Sequence, residues 1–83
     1  KKRRSIRPIL NRLVEAGFTS ERKGLRNCSF KKTISATSQV LVSVSRNQVE
    51  LTKYTGSGRV LRRRRLDQKE RELLNQQLRY FLS

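Results

Sequence analysis

The stretch that decides the fold is Gln39-Val40-Leu41-Val42-Ser43-Val44-Ser45, followed after two residues by Gln48-Val49-Glu50-Leu51-Thr52. Val40, Val42 and Val44 alternate with Leu41 and Ser43, and Val49 and Leu51 keep the same period of two. That period separates the two faces of a β-strand, and β-branched residues suit a pleated, half-buried surface. Arg46 and Asn47 form a connection of hairpin length, and Asn tolerates positive φ. The expectation is an antiparallel hairpin with its valines buried and its other face wetter.

Working outward, the period of two is already present from Cys28: Cys28, Phe30 and Lys32 fall on one side, Ser29, Lys31 and Thr33 on the other. This predicts a strand. The preceding segment, Thr19 to Asn27, is polar and contains Gly24, so it reads as a basic connecting loop. Before it, Ile6, Ile9, Leu10, Leu13 and Val14 recur at helical spacing. Ser5 fits as a cap and Pro8 fits the first turn, while Gly17 followed by Phe18 fits a left-handed C-terminal cap with an apolar residue folding back. The spacing predicts a helix over 5–16. Downstream, the strand of 48–55 ends at the breaker Gly56-Ser57-Gly58, and Arg59-Val60-Leu61 reads as a short further strand running into Arg62-Arg63-Arg64-Arg65. Asp67 and Glu70 stand as N-cap and N3 of a second helix, whose apolar stripe is Leu74, Leu78, Phe81 and Leu82, flanked by Leu73. The fold class is therefore α+β in the order α-β-β-β-α: a small antiparallel sheet of about three strands with two helices packed on one face. A single domain, 5–83, follows a basic tail, 1–4.

Composition narrows the function. The 83 residues carry 21 Lys and Arg against 6 Asp and Glu, a formal net charge of +15, no His and one Cys. Leu, Ile, Val and Phe together number 23, enough apolar material for a small core despite the charge. Without His the chain lacks the commonest neutral-pH proton carrier and imidazole metal ligand, and Cys28 alone can neither close a disulfide nor anchor a structural zinc site. No cofactor and no metal are expected. The longest aliphatic run is Val40-Leu41-Val42, far short of a membrane span. The expected partner is not a membrane, and the expected location is cytoplasmic or nucleoid-associated.

The positive charge lies in three clusters. The first is Lys1, Lys2, Arg3 and Arg4 with Arg7 and Arg12; the second is Arg22, Lys23, Arg26, Lys31 and Lys32; the third is Arg62, Arg63, Arg64 and Arg65, with Lys69 and Arg71 beyond. Arg outnumbers Lys 14 to 7. Its planar fork of donors holds two phosphate oxygens at once, which favours phosphate recognition over solubility alone. Of these residues, all but Arg12 are the candidate nucleic-acid contacts. Six scattered carboxylates are too few to pair four consecutive arginines as well as the other cations, so most of the run should face solvent or a polyanion.

The α-β-β-β-α order is similar to that of the double-stranded RNA-binding domain, and this resemblance implies phosphate contact near the start of the second helix. In that family the basic cluster is Lys-rich and lies within the helix; here it is Arg and precedes Asp67. The segment from Ile9 to Phe30, with Leu13-Val14-Glu15-Ala16-Gly17-Phe18 and Arg22-Lys23-Gly24, resembles the small messenger-RNA interferases of the HicA type. That resemblance implies the same element order. The catalytic His it would also imply is absent, with Asn27 or Cys28 near its place, so it carries no activity. Metal-dependent nuclease chemistry would need a carboxylate pair beside a Lys, and only Glu50 with Lys53 and Asp67 with Lys69 approximate one. Glu50 reads better as an exposed strand residue and Asp67 as a helix cap.

The expectation is a non-enzymatic nucleic-acid-binding protein that contacts duplex DNA or RNA through its cations, as a regulator or nucleoprotein component. Duplex is favoured because stacking residues are scarce: Phe30 fits the core better than a stacking platform, and Tyr54 is the other candidate. The alternative is a small basic accessory protein that docks on an acidic surface of a larger protein assembly. A homodimer through Leu73, Tyr80 and Leu82 of the second helix is a further partner to weigh.

Overall fold

The structure is a computed structural model and describes residues 7–24, 27–45 and 48–82. The expected tail 1–4, the Ser5 cap, Ile6, Arg26 and the connection Arg46-Asn47 lie outside the described residues. Helix α1 spans Arg7–Glu15, followed by strands β1 (Thr19–Lys23), β2 (Asn27–Ser35), β3 (Ser38–Ser45), β4 (Val49–Thr55) and β5 (Val60–Leu66), a 3-10 turn at Arg71–Leu73, and helix α2 (Leu74–Leu82). The sheet has five strands, not three, in the order β1-β2-β3-β4-β5, each antiparallel to the next.

β1 replaces part of the loop expected over Thr19 to Asn27 and β5 is longer than the short strand expected at Arg59-Val60-Leu61, and both differences have one physical cause. Strands at the edge of a sheet bury little, so they need no apolar alternation to form. β1 has the sequence Thr-Ser-Glu-Arg-Lys and is held by backbone pairing to β2, with Thr19 opposite Lys31 and Ser20 opposite Phe30, then an irregularity before Arg22 opposite Ser29. β5 continues the short Val60-Leu61 strand through all four arginines to Leu66, which is fully buried opposite Val49.

The middle strands carry the core. Val40, Val42 and Val44 lie opposite Lys32, Phe30 and Cys28 of β2 on one side and opposite Lys53, Leu51 and Val49 of β4 on the other. Ile9 and Leu13 of α1, Phe18, and Leu74, Leu78 and Phe81 of α2 join these residues in a single buried cluster. Both helices therefore cover the valine face. Every buried strand residue lies on that face, and none on the opposite, open face.

The C-terminal signal of α1 forms as the sequence predicts, while the box expected to cap the second helix forms ahead of it. The Phe18 amide donates to the Leu13 carbonyl and the Gly17 amide to that of Val14, both at 3.0 Å, and Gly17 has φ +94°. This is the paired hydrogen-bond pattern of a Schellman C-cap, with Phe18 folded into the core. Lys32 adds to it by donating from Nζ to the Ala16 carbonyl at 2.7 Å. Ahead of α2, Asp67 Oδ1 accepts from the amides of Lys69 and Glu70, while Glu70 Oε1 accepts from the Asp67 amide at 3.3 Å. This reciprocal box opens a turn and then the 3-10 segment; the regular helix begins only at Leu74. The tighter stretch coincides with two tethers to the sheet, Glu70 to Arg64 and Arg71 Nη2 to the Ser45 carbonyl at 3.1 Å.

Gly17→Ala should destabilise the domain by about 1–3 kcal/mol, because positive φ strains any other residue. A Cβ there would also meet Lys32 Nζ at 3.0 Å, whereas at Gly58, also at φ +94°, it would meet nothing within 4 Å. At roughly 4–8 °C per kcal/mol, thermal unfolding followed by circular dichroism should show a clear loss for Gly17→Ala and a smaller one for Gly58→Ala. Equal melting temperatures for wild type and Gly17→Ala would contradict the cap.

Candidate nucleic-acid interface

The register between β4 and β5 divides the arginine run. Arg62 and Arg64 lie opposite Lys53 and Leu51 on the helix-covered face, while Arg63 and Arg65 lie opposite Thr52 and Glu50 on the open face. The run is not one patch. On the helix side, the Arg62 guanidinium sits 3.9 Å from the centre of the Tyr80 ring and 5.9 Å from that of Phe81. Arg64 Nη2 reaches Glu70 Oε2 at 3.1 Å. On the open side, Arg63 Nε and Arg65 Nη2 both lie 3.7 Å from Glu50 Oε2. Two of the six carboxylates, Glu50 and Glu70, thus reach three of the four arginines, since Glu50 serves two at once. These pairs are exposed, and such pairs contribute about 0.2–1 kcal/mol each.

Cross-strand rows define the open face. One row runs Thr19, Lys31, Leu41, Thr52, Arg63, and the next Arg22, Ser29, Ser43, Glu50, Arg65. Cations therefore stand at both borders, Arg22 and Lys31 on one side and Arg63 and Arg65 on the other, with Leu41, Glu50 and the hydroxyls of Ser29, Ser43 and Thr52 between them. Lys31 pairs with Glu21 at 3.3 Å. At about 4.8 Å per strand, the two borders are separated by about 14–19 Å. A shallow depression of about 300 Å³ lies at one end of this face, lined by Arg22, Asn27, Ser29, Ser43, Ser45 and Glu50 among others.

The other candidate contacts are dispersed. Lys32 is turned to the C-terminus of α1 through its Ala16 bond, and Arg71 is clasped to the end of β3. Arg7 is exposed on the first turn of α1, and Lys69 is exposed ahead of α2. Lys23 pairs with Cys28 through its backbone in β1. Lys1, Lys2, Arg3, Arg4 and Arg26 lie outside the described residues. The carboxylate and lysine approximations do not converge either: Glu50 is on the open face and Lys53 on the other, and the Asp67 carboxylate accepts the Lys69 amide. Cys28 is buried, Phe30 is core, and Tyr54 lies half-buried on the open face. On α2, Leu73 and Tyr80 are exposed while Leu82 packs against the core.

Sequence reading missed Glu50 and Tyr80 as partners of the arginines. The signal was available in part: once Gly56-Ser57-Gly58 is taken as a hairpin turn, Glu50 falls near Arg65. The Arg62 and Tyr80 contact depends on how α2 crosses the sheet, which no local pattern encodes. Comparisons of the chain with protein-family models, with curated proteins and with solved structures gave no match.

A double-mutant cycle of Arg62→Ala and Tyr80→Ala, followed by urea unfolding, should return a coupling of about 0.5–1 kcal/mol, the range for an exposed cation–π pair. Strictly additive losses would remove the contact from the account.

Proposed function

We propose that this chain is a non-enzymatic nucleic-acid-binding domain, a regulator or nucleoprotein component, that seats a duplex against its open sheet face. The observation that carries the reading is the placement of Arg22 and Lys31 at one border of that face and Arg63 and Arg65 at the other. Borders about 14–19 Å apart bracket a groove about 12 Å wide, so long side chains can reach phosphates on both of its walls. Ser29, Ser43 and Thr52 between them offer short donors and acceptors to whatever lies in the groove. Tyr54 is the single aromatic on this face among the described residues, which gives a single strand little to stack on. The excess charge of +15 adds long-range attraction for any polyanion and raises the encounter rate.

Glu50 has a defined part in this reading. It holds Arg63 and Arg65 in place, yet its own charge opposes a phosphate arriving between them. Releasing it should favour binding.

Two measurements test the proposal, both by fluorescence anisotropy with duplex DNA, duplex RNA and single strands. With four phosphate contacts, log K should fall with log salt at a slope of about −3.6, and Arg63→Ser with Arg65→Ser should reduce the slope by about 1.8. A double variant at Arg62 and Arg64, on the other face, should leave the slope unchanged. Affinity weaker than about 100 µM for every polymer at physiological salt would be no better than ordinary non-specific binding and would end the proposal. In the second measurement, Glu50→Gln should bind duplex roughly two- to fivefold more tightly at low salt, the equivalent of about 0.5–1 kcal/mol. Weaker binding by this variant would mean that Glu50 positions the arginines more than it opposes the ligand.

A further inference from the structure

β5 ends the sheet, and among the described residues no strand pairs with its outer edge. An antiparallel edge turns alternate amides and carbonyls outward, which makes it a template for one more strand. Two features determine what can use it. First, Arg62 and Arg64 project on one face and Arg63 and Arg65 on the other, so the edge is flanked by guanidinium groups above and below. Second, the edge begins with an apolar pair, Val60 and Leu61, which are 48% and 53% exposed. A second copy of the chain would oppose arginine to arginine there, and like charges directly opposite in a sheet are destabilising.

We propose that the β5 edge receives an extended acidic segment of another protein, added antiparallel as a sixth strand. Four consecutive Asp or Glu residues would alternate between the faces as the arginines do, so each carboxylate would meet a guanidinium on its own side. An antiparallel partner runs from Arg65 towards Val60, so two apolar residues after them would lie beside Leu61 and Val60; the register shifts there, with Lys53 opposite Arg62 but Tyr54 opposite Val60, and strict alternation is required only along the arginines. Main-chain hydrogen bonds would supply affinity and the side-chain alternation specificity, as in other recognition by strand addition. The existing pairs do not block this. Glu50 and Glu70 are themselves surface carboxylates on exposed arginines, and incoming carboxylates can share or replace them. A charged occupant without a strand-forming backbone gains only the electrostatic part.

This inference stands apart from the duplex proposal, because it requires Arg62 and Arg64 and does not require Arg22 or Lys31. The probe is a fluorescein-labelled peptide with four alternating Glu and Asp residues followed by Ile and Val. Its control is a peptide of equal charge with Pro placed between the acids, which removes strand amides and fixes the wrong φ. The strand-forming peptide should bind at least about tenfold more tightly than the control, the contribution of a main-chain ladder worth about 1.4 kcal/mol or more. The Arg62→Ser/Arg64→Ser and Arg63→Ser/Arg65→Ser variants should each weaken it, while Arg22→Ser with Lys31→Ser should not. On the wild-type protein, the peptide should slow hydrogen exchange at alternate amides of β5, a readout that charge attraction alone would not move. Equal affinity for the two peptides, unchanged exchange on β5, or a loss confined to Arg63 and Arg65 would overturn the inference. So would a single-stranded oligonucleotide of matched charge that produces the same exchange protection more tightly than the peptide. Failure of the chain to bind duplex would leave these outcomes readable.

Discussion

The burial of a single sheet face governs the rest of this structure. Val40, Val42, Val44, Val49 and Leu51 are all at most 1% exposed, and each is flanked across the strands by further core residues or by long side chains whose stems extend the apolar surface. Fully burying such a side chain stabilises by about 1.5–3 kcal/mol. A register slip of one residue would turn these five to water and bring Leu41, Ser43 and Glu50 inward, so the pairing is strongly specified. The helices depend on the same face. Each has nine residues, below the length at which an isolated helix is more than marginal in water, so they persist because Leu13, Leu78 and Phe81 have a valine surface to cover.

With that face sealed, charge is confined to the open face, the two edge strands, the helix surfaces and the sheet ends. The β5 register then places some cations beside others. Lys53 lies directly opposite Arg62, a like-charge cross-strand pair of the kind that destabilises a sheet. Stacking of Arg62 on Tyr80, and the pairs made by Glu50 and Glu70, offset part of this repulsion. Exposed pairs are individually too weak to neutralise a net charge of +15. The folded state therefore retains self-repulsion, and any bound polyanion stabilises it by mass action as well as by contact.

The central elements were legible in the sequence because burial imposes a period. Valine alternation marked β3 and β4, Cys28 and Phe30 marked β2, and the helical stripes marked the two helices, with the cap at Gly17 ending the first, whereas Asp67 opens a turn seven residues ahead of the second. The edges escaped because nothing forces a pattern on them. Thr19 to Lys23 pairs through its backbone and one exposed ion pair, Glu21 with Lys31, and its side chains are those of the loop its composition predicts. β5 was visible at Val60 and Leu61, but its arginines carry no hydrophobic signal, and Leu66, the residue that anchors its far end, stands alone beyond them. Candidate site residues were legible as a list of cations and not as an arrangement. That Lys32 caps α1 while Lys31, its neighbour, faces the open side follows from strand parity; that Arg71 binds the Ser45 carbonyl follows only from the tertiary fold.

The choice of arginine separates two accounts of the exposed edge. Protection against edge-to-edge association needs only charge, and lysine is the residue most often used for it. Lysine would also keep the chain soluble. Arginine adds a plane and a fork: Arg62 uses the plane against Tyr80, and the guanidinium groups of Arg63 and Arg65 both approach a single carboxylate oxygen of Glu50. A strand that has four arginines in sequence and no lysine therefore presents groups already oriented by contacts on both faces of the sheet. Pre-orientation reduces the rotamer entropy lost when an oxyanion binds, a saving that protection alone would not require. The same edge that discourages a second copy of the chain therefore has the charge and the pre-orientation that the proposed acidic strand would need.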